Sequence, residues 1–134
     1  MAKIIDIEGI GPKFAATLQA AGIKTTGALL KAGSSPAGRR ALAETTKIDA
    51  GKILEWVNRA DLMRIKGVGE EYSDLLENAG VDTVKELGTR RADNLHAKML
   101  EVNTAKKLVR RPPTLGNVQA WVAEAKTLPP GVTY

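Results

Sequence analysis

Few residues in this 134-residue chain have the types and spacing that chemistry needs. Cysteine is absent, which excludes thiolate nucleophiles, thiolate metal sites and disulfides. His96 is the single histidine, and no acid or nucleophile stands at a spacing that would recruit it as a base or a ligand. The serines, acids and lysines follow no triad logic, so catalysis, a bound metal and a cofactor are not expected. What stands out is Ile7-Glu8-Gly9-Ile10-Gly11-Pro12-Lys13. Gly9 and Gly11 allow a tight turn and let another backbone approach its N–H groups. Pro12 suits the first position of a helix, whose opening amides lack intrahelical acceptors and lie at the positive end of the helix dipole. Such a turn is shaped for an anion such as phosphate, with Ile7 and Ile10 anchoring it from below and Lys13 adding charge beside it.

The pattern is written twice. Ile7-Glu8-Gly9-Ile10-Gly11, Leu18, Ala21-Gly22-Ile23, Thr25 and Leu29 recur at an offset of 58 as Ile65-Lys66-Gly67-Val68-Gly69, Leu76, Ala79-Gly80-Val81, Thr83 and Leu87. The copies differ where it matters for an anion: Pro12-Lys13 is replaced by Glu70-Glu71, whose carboxylates would repel a phosphate. Gly67, Val68 and Gly69 are therefore expected to serve structure or a protein contact. A dinucleotide-binding reading of 4–11 as strand and glycine turn is weakly supported, because no third glycine stands at Phe14, no long α/β alternation follows, and the repeat argues against it.

Helices must position these turns. Pro12 to Ala21 reads as one, closed by a left-handed Gly22; Thr25 caps the next, through Leu30, and Ser35-Pro36 starts another toward Thr45. Asp49 caps a helix carrying Ile53, Trp56 and Val57. In the second copy the expected helices are Glu70 to Ala79, one opened by Thr83, Asn94 to Val102, a short one capped by Asn103 and running to Val109, and one from Thr114 through Val122. Turns at 46–52 and 101–107 read as degenerate hairpins that have lost both glycines. Trp56-Val57 and Trp121-Val122 are read as equivalent core positions separated by an insertion in the second copy. The fold class is thus all-α, with a first unit at 1–62, a second at 63–128 and a mobile tail at 129–134.

The net charge is +5, unevenly spread. Residues 1–60 hold nine Lys and Arg against five acids, 61–88 three against seven, and 89–134 eight against three. The basic first unit extends the expected anion footprint from Lys13 to Arg39, Arg40 and Lys52. Nothing distinguishes DNA from RNA as the partner, and the five aromatic residues make no platform for stacking bases. The chain lacks a run long enough to span a membrane, and its start lacks the apolar core of a signal peptide, so a soluble cytoplasmic protein is expected.

The Gly9–Lys13 turn resembles the helix-hairpin-helix of repair ligases, nucleases and polymerases, which implies contact with DNA backbone without sequence readout. Over nearly its full length, including Leu108-Val109-Arg110-Arg111-Pro112 and Trp121-Val122-Ala123, the chain resembles an uncharacterised bacterial domain-of-unknown-function family with tandem helix-hairpin-helix motifs. A looser similarity links it to the double helix-hairpin-helix domain ending the RNA polymerase alpha subunit, which binds both DNA and proteins. The chain lacks the lysine and aspartate arrangement that base-excision glycosylases carry after their hairpin. Two expectations follow: a non-catalytic, sequence-independent DNA-binding module, or a protein-interaction or self-associating scaffold that uses the units structurally.

Overall fold

Helix starts follow the capping residues. Thr25, Ser35, Thr83 and Thr114 each accept, through the side-chain oxygen, the amide three positions on: Ala28 at 3.1 Å, Gly38 at 3.1 Å, Glu86 at 3.3 Å and Asn117 at 3.0 Å. The computed structural model describes residues 2–134 and is all-helical; among the described residues no strand forms, and Lys3 and Thr25 make only an isolated bridge. A 3-10 turn at Ile4–Asp6 precedes α1 (Pro12–Ala20), α2 (Thr26–Gly33), α3 (Pro36–Thr46), α4 (Ala50–Leu62), α5 (Glu70–Asn78), α6 (Val84–Leu87), α7 (Ala92–Lys106) and α8 (Leu115–Ala125).

The chain divides into two compact units. One comprises Met1–Asp61 with Gly131–Tyr134, the other Leu62–Pro130. In the first, Ile4, Ile7, Leu18, Leu29, Ile53 and Val57 are fully buried. In the second, Leu62, Ile65, Leu75, Leu76, Leu87 and Met99 occupy the core, with Trp121 and Val122 of α8. Corresponding punctuation recurs in both: Gly22 and Gly80 end α1 and α5 at φ +87° and +94°, and Ile23 and Val81 return a 2.9 Å amide bond to Leu18 and Leu76. Lys47 and Lys107 end α3 and α7 in the left-handed region, at φ +61° and +53°.

Three local expectations are corrected. Asn103 does not cap a new helix: α7 runs unbroken from Ala92 to Lys106, with no Gly or Pro to interrupt it, so the turn expected at 101–107 falls mostly inside a helix. The Asn103 amide instead pins the following loop, accepting from Val109 N at 2.9 Å and donating to Val109 O at 3.3 Å. The inserted residues lie between Lys107 and the Thr114 cap, which is why the offset grows from 60 at the lysines to 65 at the tryptophans. Finally, Gly131–Tyr134 is not a separate mobile tail: Val132 is buried, and Thr133 N donates to Ser34 O at 2.7 Å within the first unit.

Candidate functional site

The first turn is held from inside by Ile7 and Ile10, both buried, with Ile10 N donating to Ile7 O at 3.1 Å. Gly9 stands at φ +94°, where a side chain is strained, and a Cβ there would meet Trp56 Nε1 at 3.3 Å and Arg59 Nη1 at 3.4 Å. Gly11 differs. Its φ of −83° suits any residue, and a Cβ would find nothing within 4 Å. The space over Gly11 is therefore open to an approaching ligand. Gly11 is also the N-cap of α1, without a side chain to cap it, and Pro12 follows at the first helical position. Among the described residues no acceptor meets the amides of Gly11, Lys13 and Phe14.

Helix α4 supplies the rest of the site. Trp56 packs on Phe14 with ring centroids 5.1 Å apart and planes tilted by 58°. Lys52, one turn earlier on α4, lies with Nζ 5.4 Å from the ring centre of Phe14, the residue that follows exposed Lys13 in the chain. Arg59, one turn later, donates through Nη1 to the carbonyl of Glu8 and pairs through Nη2 with Glu55 at 3.2 Å. The fold thus sets Gly9, Ile10, Gly11, Pro12 and Lys13 at the start of α1, with Lys52 reaching Phe14 in its first turns. It does not bring Arg39 into that set. Arg39 is buried, with Nη1 donating to Gly33 O at 2.9 Å and Nη2 to Thr133 O at 2.7 Å, so its charge serves the interior of the first unit. Arg40 is exposed on α3, and among the described residues no contact ties it to the turn.

Trp56 and Arg59 were absent from the expected site. The tryptophan reads as ordinary core from its spacing and is indeed buried, yet it also floors the turn. Arg59 is linked to Glu8 across 51 residues. A charged residue three positions after a core tryptophan on one helix face was its only sequence signal.

The second turn has a similar backbone and different charges. Gly67 takes φ +88°, with Trp121 Nε1 3.4 Å from its would-be Cβ, and Trp121 packs on Tyr72 at 5.1 Å and 52°. Gly69 is an uncapped N-cap with open space above it, and Val68 is buried. Each cation of the first turn has a neutral or acidic counterpart here: Glu71 for Lys13, Asn117 for Lys52, Glu124 for Arg59. The clasp is inverted accordingly, since Glu124 Oε1 accepts from the Lys66 amide at 3.0 Å where Arg59 donates to the Glu8 carbonyl. The inserted loop also reaches this turn. Glu71 Oε1 accepts from Arg110 N at 3.1 Å and Tyr72 Oη donates to Arg111 O at 2.8 Å, bordering a cleft of about 370 Å³.

His96 is half-buried, with Nε2 3.0 Å from Pro113 O, and so braces the same loop. No helix of the described residues is long and apolar enough to cross a membrane. The family model described as Domain of unknown function (DUF4332) matches residues 8–128, a span that includes Gly9 to Lys13 and the whole second turn. No solved structure matches the chain.

Proposed function

The chain belongs to the DUF4332 family, and from that premise we propose that it is a non-catalytic module that binds nucleic-acid backbone, DNA in the first place, through a helix-hairpin-helix at Gly9–Lys13. One observation carries the reading: the start of α1 is uncapped, unobstructed above Gly11, and carries exposed Lys13 in its first turn, with Lys52 over the neighbouring Phe14 ring. A phosphate seated there accepts from the Gly11, Lys13 and Phe14 amides and is neutralised by the two ammonium groups. None of these groups can read a base edge, so binding is independent of sequence. The reading of the chain as a bacterial cytoplasmic protein belongs with this proposal, as the lack of cysteine agrees with a reducing compartment.

Electrophoretic titration against duplex DNA, single-stranded DNA and RNA at two salt concentrations tests the proposal. Duplex binding is expected with Kd on the order of micromolar or weaker, and log K falling with log salt at a slope of about −2 to −5. Lys13→Glu is expected to weaken binding and flatten that slope by about one to two. Absence of binding at low salt, or no loss in Lys13→Glu, contradicts it.

A second reading, a protein-interaction scaffold, is favoured by the acidic second turn beside the cleft that Arg110 and Arg111 line. Its partner is a basic protein surface, such as the first unit of another copy. Sedimentation distinguishes the two: a strict monomer that retains DNA and captures no protein speaks against the scaffold.

A further inference from the structure

The first unit holds residues 132–134 by contacts from α3, α4 and a residue between α2 and α3. Between α2 and α3, Ser34 O accepts from both the Thr133 amide, at 2.7 Å, and the Thr133 hydroxyl, at 3.2 Å. Arg39 grips the other side of the same residue, donating to Thr133 O at 2.7 Å while its second nitrogen holds Gly33 O. The guanidinium lies 5.9 Å from the centre of the Tyr134 ring, and Tyr134 Oη donates to Asn58 Oδ1 on α4 at 3.0 Å. Val132 is buried. An extended segment is thus read at both backbone polar groups of its central residue, and by a side-chain contact on either side of it, the logic by which folded surfaces recognise short peptides.

We propose that these contacts form a groove that binds extended peptides of the pattern branched apolar, threonine, tyrosine, and that Val132–Tyr134 is its occupant in cis. The contacts are few, and the segment hangs from Pro129-Pro130-Gly131 without a helix or strand of its own. Tethering supplies an effective concentration of about millimolar, enough to keep a weakly held segment docked and to exclude a free competitor of similar affinity. The Thr133 hydroxyl on Ser34 O favours threonine at the central position, and Arg39 holds the backbone there whatever the side chain. A buried guanidinium needs acceptors, and the groove itself supplies Gly33 O while the ligand supplies the other.

The test uses the full chain with the tail released by the double substitution Val132→Asp and Tyr134→Ala, and a fluorescent, amidated Pro-Pro-Gly-Val-Thr-Tyr peptide as the probe. The probe is expected to bind the released chain at least about tenfold more tightly than the wild type, whose own tail competes. Should the double variant not fold, Thr133→Pro removes both tail donors to Ser34 O and alters no residue of the groove. Asn58→Ala in the released background is expected to abolish the preference for the tyrosine probe over the same peptide ending in phenylalanine. Equal affinity for wild type and folded released chain overturns the proposal, as does a tyrosine preference that survives Asn58→Ala.

Discussion

Gly9 and Gly11 stand two residues apart and answer to different physics. At Gly9 the backbone lies at φ +94° with Trp56 and Arg59 against it, so Gly9→Ala is expected to cost about 1–2 kcal/mol of stability, read from urea unfolding. At Gly11 the backbone is ordinary and the space above is empty, so Gly11→Ala is expected to leave stability within about 0.5 kcal/mol and yet weaken DNA binding, because the methyl group occupies the ligand's approach. Equal DNA affinity for wild type and Gly11→Ala contradicts a backbone-close phosphate. Asp93 gives a pH prediction: the Asn94 amide, at 2.8 Å, and then the Arg91 guanidinium, at 3.1 Å, hold its carboxyl below the usual carboxylate range. Its small contribution is therefore present above the ordinary carboxylate pKa and lost only as pH falls through the lowered one. Carboxyl carbon titration is expected to show a depressed midpoint that rises in Arg91→Ala. Residue roles were legible where they are local, as for the capping threonines. Arg39 was misread because what buries it, Thr133, lies 94 positions away.

At the scale of elements, α4 and α8 decide what the turns in front of them can do. Arg59 ties α4 to Glu8, and Arg59→Ala removes the donor to that carbonyl, with an expected loss on the order of 1–3 kcal/mol and weaker DNA binding in step. Thermal unfolding and DNA titration of the same variant check both. On the second turn the converse change, Glu70→Pro with Glu71→Lys, restores the residues of the first and is expected to steepen the salt slope by about one. An unchanged slope means that the inserted loop, and not the acids alone, closes that turn. Most helices were legible because α2, α3, α4, α6 and α8 begin with a capping side chain, α1 begins with a proline, and α1 and α5 end at a glycine. The exception is instructive: Asn103 has the chemistry of an N-cap, but six residues on it finds Val109, and α7 continues through it. A polar side chain with two uses locally looks the same for both, and only the loop inserted after Lys107 selects between them.

At the scale of the whole chain, a repeated backbone carries different charges at its two turns. The units share glycine turns, floor tryptophans and left-handed lysines, while the cations of the first turn are replaced by neutral or acidic residues in the second. The duplication was legible as an offset of 58, and so was the loss of Pro12-Lys13 in the copy; the inversion of Arg59 into Glu124 was not, because an insertion shifts its register to 65. With one tryptophan in each unit, the units can be followed separately. Releasing the tail with Val132→Asp and Tyr134→Ala is expected to lower the unfolding midpoint reported by Trp56 in a Trp121→Phe background, and to leave that reported by Trp121 in a Trp56→Phe background in place. The central claim is that the uncapped start of α1 is where the backbone phosphate sits. Its most direct test is an amide-resolved NMR titration of the full chain with a short DNA duplex. Gly11, Lys13 and Phe14 amides are expected to shift first and furthest, with the response lost in Lys13→Glu; shifts confined to Gly69–Tyr72, or spread evenly over exposed lysines with α1 silent, contradict the account.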